Sequence, residues 1–504
     1  MPRGLDLSGE SVVVGGRAWL AEVWQREEIR EALSAASPDL CRRIDDIVAR
    51  SRPDPRRVRR AVLSLAFYLL RWQQRPTPFG LFAGVAPVRI GPEGQVSWGG
   101  KHHTAARADA DWLADIVARL ERCPELLERL LVVANDVGQI RGDRYVVPGP
   151  PADGRGHRLA PVEVSVRHTR PVAVALDAAR APVRYGALRT ELGDRFPTAT
   201  AEMIDSLLGG LMAQNVLITS LRAPMTCLDA LGHVCAQLDA AEAQSIPGLA
   251  DLVRQLYAIR DELTPRSPLS PSPAWAGAAG RMRALSDVAP VPLVVDTALD
   301  CDVQIPDAVA REAREAVGVL SRLSPFPFGY PQWRDYHSRF RARYGVGAVV
   351  PVLDLVSDSG LGLPAGYLGS AHRRAPRELT ERDEKLLALI QQAALDGQDE
   401  IVLTEPVIAE LAGGADIIPV PRAEVSVEIH AASADALARG AFRLVVTGTP
   451  RPGSSMAGRF ATAPPPTGCG PTTAPATPPA PAAPASGPPT PQPTSRWSAA
   501  PTPA

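Results

Sequence analysis

Apolar side chains recur every three to four positions over 24–49 and again over 110–133, which predicts amphipathic helices in both stretches. Between them, Ala61-Val-Leu-Ser-Leu-Ala-Phe-Tyr-Leu-Leu70 is apolar on nearly every side, the pattern of a helix held inside a core. Ser11-Val-Val-Val14 and Ala86-Pro-Val-Arg-Ile90 are short and rich in β-branched residues, and read as strands. Val162-Glu-Val-Ser-Val166 alternates with a period of two and predicts another strand. Helical spacing follows over 173–180, 187–194 and 202–214, closed by the strand-like 216–219. Further on, helices are expected around 226–261, 305–322 and 380–396, and strands near 291–295, 401–403 and 442–446. The mixture predicts an α+β fold of several subdomains.

Three helices closed by a short strand make 161–224 a winged-helix-like unit, a pattern usually associated with DNA. Here the segment that would enter the groove, Ile204-Asp-Ser-Leu-Leu-Gly-Gly-Leu-Met212, is apolar and acidic, so DNA is excluded as a partner. Gly360-Leu-Gly362-Leu-Pro364-Ala-Gly366 has the wrong spacing and an internal proline for a dinucleotide fingerprint, and reads as a loop. From Ala461 to Ala504 the character changes: 15 of 44 residues are proline and Arg496 is the only charge. Such a tail cannot bury a core and is expected to be disordered. Its abrupt onset suggests translation of GC-rich DNA out of frame.

Composition narrows the chemistry. A net charge of −1 leaves no global field for nucleic acid, so any polyanion site must be local. Two lysines stand against 52 arginines, a skew that reports on a GC-rich genome. Cys41, Cys123, Cys227, Cys235, Cys301 and Cys469 are scattered without a Cys-x-x-Cys pair and read as reduced thiols. His102-His103 has no nearby ligand partner and reads as a loop pair, so no metal or organic cofactor is expected. The start of the chain lacks the basic and apolar regions of a signal peptide, and the apolar run at 61–70 ends at Arg71, too short to span a bilayer. A cytoplasmic protein is expected.

The densest information lies in Arg71-Trp-Gln-Gln-Arg75-Pro-Thr77-Pro78-Phe79-Gly80-Leu81-Phe82-Ala83-Gly84. Arg71 and Arg75 leave one face of the helix, four residues apart. Pro76 disfavours helical geometry at Arg75 and Pro78 restricts Thr77, so the helix ends there in a rigid turn. Two fixed guanidiniums beside such a turn suit a polyanion. The alternative is a helix C-terminus carrying arginines because cations favour that end of the dipole. Upstream, Arg52, Arg56, Arg57, Arg59 and Arg60 form a basic run, either a solvated face or a phosphate-binding surface.

These residues resemble the signature of the class I lanthipeptide (lantibiotic) dehydratases in their N-terminal glutamylation domain. Arg107-Ala-Asp109-Ala-Asp-Trp112-Leu113, Val294-Val295-Asp296, Arg343-Tyr344-Gly345, Val350-Pro351-Val352-Leu353-Asp354-Leu355 and Phe442-Arg443 to Val446 follow in the family's order, as does Gly458-Arg459-Phe460. The resemblance covers about 10–460 and is expected to stop there. It implies four parts: 1–160 with the signature, 161–224 as a leader-peptide recognition unit that takes a leader as an added strand, 225–460 as the remaining, incomplete α/β part, and the tail 461–504.

The activity the resemblance implies is transfer of glutamate from glutamyl-tRNA, the co-substrate, to Ser and Thr of a precursor peptide. Elimination then belongs to a further domain or a separate enzyme, and a lanthionine cyclase is an expected partner. Arg71, Arg75, Thr77 and Asp109 are carried over as catalytic, and Arg17, Asp296 and Arg459 as substrate- or tRNA-binding. Two alternatives follow from the same resemblance: an inactive remnant that binds only leader peptide, and a relative of the peptide–aminoacyl-tRNA ligases.

Overall fold

The computed structural model describes residues 11–452 except 76, 150–161, 225, 265–272, 327–328, 368–369, 377 and 413–422. The expectations for Arg459, Cys469 and the tail lie outside the described residues.

The chain opens with a four-helix bundle. A π-helical turn, Val12–Gly16, leads into α1 (Arg17–Trp24), followed by α2 (Glu27–Ala36), α3 (Pro38–Ala49) and α4 (Pro55–Gln74). Asp54 starts α4, its carboxylate accepting from Arg56 N at 3.1 Å, with Pro55 at the first helical position. Val58, Ala61, Val62, Leu65 and Ala66 form the buried face, at the i, i+3, i+4, i+7 and i+8 positions of one helix stripe. They pack with Leu20, Leu33, Ile44 and Phe82 into one cluster. Fully burying Val58, Val62 and Leu65 contributes roughly 1.5–3 kcal/mol apiece. The expected strand at 11–14 is instead helical, because Gly16 lets the turn lie against α4. A Cβ there would sit 3.0 Å from Val58 and 3.2 Å from Val62.

A larger unit follows, with β1 (Val88–Gly91), β2 (Gln95–Trp98), β3 (His103–Ala108), α5 (Ala110–Leu120), α6 (Pro124–Leu127), β4 (Leu131–Ala134), β5 (Gln139–Arg141), β6 (Arg144–Gly149), β7 (Val162–Arg167), α7 (Arg170–Ala178), β8 (Val183–Arg184), α8 (Tyr185–Arg195), α9 (Ala201–Ala213) and β9 (Leu217–Thr219). The expected helix over 110–133 therefore ends early. Leu131–Ala134 is a central strand, paired with β8 on one side and β9 on the other. The sheet of the winged-helix-like unit thus includes a strand from outside 161–224. β7 pairs with β6, which pairs with β5.

Helices α10 (Ala230–Ala240), α11 (Ala250–Leu263) and α12 (Pro273–Leu285) complete this core, which runs from Trp112 to Leu293 without a break. Next come β10 (Leu293–Ala298) and β11 (Cys301–Pro306). β10 pairs antiparallel with β3, while β11 lies between β1 and β2. The last part holds α13 (Asp307–Arg322), α14 (Pro331–Tyr344), α15 (Val352–Val356), α16 (Glu381–Leu395), α17 (Glu405–Ala412), β12 (Ala423–Ala431), α18 (Ala434–Ala438) and β13 (Phe442–Pro452). β12 and β13 form an antiparallel pair against which α13 packs. The strand expected at 401–403 is absent, since Leu403 joins the small cluster of Leu323, Ile408 and Leu411 instead. The 360–366 loop is a loop as expected. The α+β fold class stands.

Candidate functional site

Helix α4 ends where the two prolines require. Arg75 caps it in extended geometry, φ −115° and ψ 108°, while its N–H still donates to Arg71 O at 2.9 Å. Arg71 folds back over the turn, its guanidinium 4.4 Å from the Phe79 ring centroid and its Nη2 3.4 Å from Thr77 O. Arg75 Nε lies 3.4 Å from Thr77 Oγ1. Arg71, Arg75 and Thr77 are therefore one local constellation. Arg71 Nε is buried and has no hydrogen-bond partner among the described residues. Such a donor is costly to bury unless something else accepts from it.

The turn is tight because Phe79 N donates to Ala83 O and Phe82 N to Phe79 O, each at 2.9 Å. Gly80 sits at φ +51°, a conformation that favours glycine. Tyr68, Trp72, Phe79 and Phe82 stack at centroid distances of 5.1–6.4 Å and root the turn in the bundle. On its other side the turn is latched to β10. Thr297 Oγ1 donates to Gly80 O at 2.9 Å, Val85 N to Thr297 O and Leu299 N to Val85 O, both at 2.8 Å. Gly84 makes the approach possible, since a Cβ there would lie 2.7 Å from Thr297 O.

The remaining predicted residues have other surroundings. Asp296, one position before the latch, is buried and pairs with Arg107 Nη2 on β3 at 3.0 Å. Strand alternation directs Asp296 and Thr297 to opposite faces of β10. Asp109 caps α5, its Oδ1 accepting from Asp111 N at 2.9 Å and Trp112 N at 3.3 Å, and its own N–H donates to Pro292 O. Both carboxylates thus have structural partners, Asp296 across the β3–β10 pair that carries the latch and Asp109 in the first turn of α5. Arg17 donates to Val48 O at 2.9 Å, at the level of Val58 and Val62. That places it roughly 14–20 Å along α4 from Arg71.

Comparison with known proteins decides the family. The family model described as "Lantibiotic dehydratase, N terminus" matches residues 25–483. The chain belongs to the lantibiotic dehydratases. The match runs past 460, where the family pattern was expected to stop. The chain is 27% identical over 313 residues to the subtilin biosynthesis protein SpaB of Bacillus subtilis, covering 60% of this chain and 29% of that protein. It is 22% identical over 355 residues to the epidermin biosynthesis protein EpiB of Staphylococcus epidermidis, covering 66% and 35%. The chain thus spans about a third of the length of these relatives. Among solved structures, the tRNA-dependent lantibiotic dehydratase MibB of Microbispora sp. 107891 superposes with a TM-score of 0.76 at 34% identity, over 87% of this chain and 43% of that one. The glutamylation domain of TbtB, from thiomuracin biosynthesis, shares the fold at a TM-score of 0.55 and 20% identity, over 85% of this chain and 53% of that one.

In this dehydratase domain the structure also assembles groups that sequence reading did not join. Arg52, Arg57 and Arg60 of the basic run, which mostly forms the first turns of α4, meet Arg43 of α3 and Arg50 at its C-cap around a cleft of about 880 Å³. Arg43 and Arg50, seven residues apart on one helix face, were the available signal. Thr297 was hidden, since its partner Gly80 lies 217 residues away in sequence. His102 accepts from Asp300 N at 3.0 Å, and His103 opens β3 rather than lying in a loop. Burial pushes the Cys41 and Cys235 thiols up to about 12 from 9.0, so neither offers a thiolate. Among the described residues no cluster of His, Cys, Asp and Glu is placed to hold a metal, and no helix is long and apolar enough to cross a membrane.

Proposed function

We propose that this dehydratase domain moves a glutamyl group from glutamyl-tRNA to Ser and Thr hydroxyls of a precursor peptide. The reading is carried by the Arg71–Arg75–Thr77 constellation, held between an aromatic cluster and β10. The peptide hydroxyl attacks the ester carbonyl, a new C–O bond forms, and the ribose oxygen of the tRNA leaves with the proton. One ester replaces another, so the step needs positioning and charge neutralisation more than a protein nucleophile. Guanidiniums at the turn are suited to the terminal phosphates and to the oxyanion that develops.

The winged-helix-like unit is read as the site that takes the precursor's leader. β7 is six residues long, pairs with β6 on one edge, and among the described residues has no strand on the other. A leader added there would gain main-chain hydrogen bonds. Elimination of glutamate by a further domain or a separate enzyme, a cyclase partner and a cytoplasmic setting complete this reading.

The test is reconstitution of the whole chain with its precursor and either glutamyl-tRNA or free glutamate with ATP. Intact mass should show glutamyl additions to the peptide in the first mixture alone, lost with Arg71→Ala. Additions in the mixture without tRNA, or none in either, overturn the reading.

A further inference from the structure

Helix α4 places an exposed aromatic ring between two groups of arginines. At its N-terminal end lies the cleft of about 880 Å³, lined by Arg43, Arg50, Arg52, Arg57 and Arg60 together with Asp46 and Asp54. Both carboxylates are engaged: Asp54 caps the helix, and Asp46 lies 3.8 Å from Arg50. Arg43, Arg52, Arg57 and Arg60 have no carboxylate partner among the described residues. Four arginines in the first six residues of α4, with no acid in its first turn, also oppose the helix dipole. A locally unfavourable arrangement of this kind is expected where an external anion compensates.

Two turns further on, Phe67 projects with 69% of its surface exposed. The row Arg60, Ser64, Phe67, Arg71 follows the four-three-four spacing of a single helix face. A lone exposed apolar residue would need no explanation. One set between a cationic cleft and the signature arginines matches a single-strand platform, in which guanidiniums follow the phosphates and a ring receives a base. From Arg57 to Arg71 the helix spans about 20 Å, the reach of a short single-stranded tail at the lower end of the ~4–16 nucleotide range.

We propose that the outer face of α4 is the track for the single-stranded 3′ tail of the donor tRNA. Backbone phosphates lie in the α3–α4 cleft, a base stacks on Phe67, and the terminal ester arrives at Arg71 and Arg75. The inference rests on the glutamyl-tRNA reading and adds the path of the RNA to it.

Fluorescence anisotropy of the full chain tests it, with uncharged glutamate tRNA and a labelled single-stranded RNA matching its 3′ tail as probes. Phe67→Ala should weaken both about tenfold or more, the range for losing one stacked base, whereas Phe67→Trp should retain binding. Arg57→Ala with Arg60→Ala should lower the slope of log affinity against log salt by about 1.4. The temperature of thermal unfolding should fall in none of the three, because the altered side chains are exposed, and the loss of Arg57 and Arg60 relieves the opposed helix dipole. If Arg71→Ala abolishes tRNA binding while the Phe67 and Arg57/Arg60 variants bind like wild type, the track is wrong and the donor reading stands. If the Phe67 dependence appears but no glutamate is transferred, the track stands and the donor reading fails. Binding of a poly-glutamate peptide with the same Phe67 dependence would overturn the track in favour of an acidic protein partner.

Discussion

Replacing Gly84 by alanine pits the signature turn against the strand that holds it. The new Cβ would lie 2.7 Å from Thr297 O and 2.9 Å from Leu299 Cδ2, against an ordinary contact of at least 3.4 Å. The turn must retreat by roughly 0.7 Å, because Thr297 belongs to β10, which is paired along its length with β3. Overpacking of this kind costs about 1–3 kcal/mol. The Val85 N–Thr297 O and Thr297 Oγ1–Gly80 O hydrogen bonds, worth about 1 kcal/mol each, are stretched at the same time. Urea denaturation of Gly84→Ala should therefore show a loss of about 2–4 kcal/mol. The effect on transfer should be larger than the stability loss implies, since a displacement near 1 Å at a reacting constellation can cost about 100-fold. Gly80→Ala is the control: no atom lies within 4 Å, so only the left-handed backbone at φ +51° is penalised, by about 1–2 kcal/mol. Initial rates of glutamyl transfer, measured where each variant remains folded, provide the comparison. A Gly84→Ala protein with wild-type stability and wild-type rate would refute the latch.

Arg75→Ala should shift stability by less than about 0.5 kcal/mol, and Arg71→Ala by about 0.5–1 kcal/mol more because its stacking on Phe79 is lost; both should abolish transfer, with lysine a poor substitute. Asp296→Asn should cost about 1–3 kcal/mol in denaturant, less than a fully buried pair, because Arg107 remains 35% exposed. In native protein at pH 8 Cys235 should resist iodoacetamide, its thiolate fraction lying about a thousandfold below that of a thiol at 9.0, and unfolding in urea should release it. A proline placed in the leader at a position paired with β7 should weaken leader binding, read by calorimetry on the full chain.

The signature turn was legible because its causes are local. Pro76 and Pro78 end α4, and Arg71, Arg75 and Thr77 meet within seven residues. What holds that turn in place was not legible, because Thr297 acts across 217 positions and its role depends on a Cβ that Gly84 lacks. Short apolar runs failed for a related reason. Val12 and its neighbours have strand composition, yet packing against Val58 and Val62 decides for helix. Leu131–Ala134 has the composition of a helix end, yet its partners lie some 50 and 85 residues further on, at Val183 and Thr219. Ile401–Leu403 looks like a strand, but it pairs with no strand among the described residues and Leu403 packs into a helical cluster. Asp109 and Asp296 stood out by their motifs, while the partners that occupy them, the partly buried N-terminus of α5 and Arg107, appear only in the fold.

The central claim is that the glutamate on the peptide comes directly from tRNA at the Arg71–Arg75–Thr77 turn. A single-turnover experiment with excess protein, precursor peptide and glutamyl-tRNA carrying labelled glutamate tests it most directly. The account predicts that label leaves the tRNA and enters the peptide at one rate, with no label trapped on the protein by acid quenching, and that Arg71→Ala abolishes both processes together. Label that appears first on the protein, or peptide labelling that persists in Arg71→Ala, would contradict it.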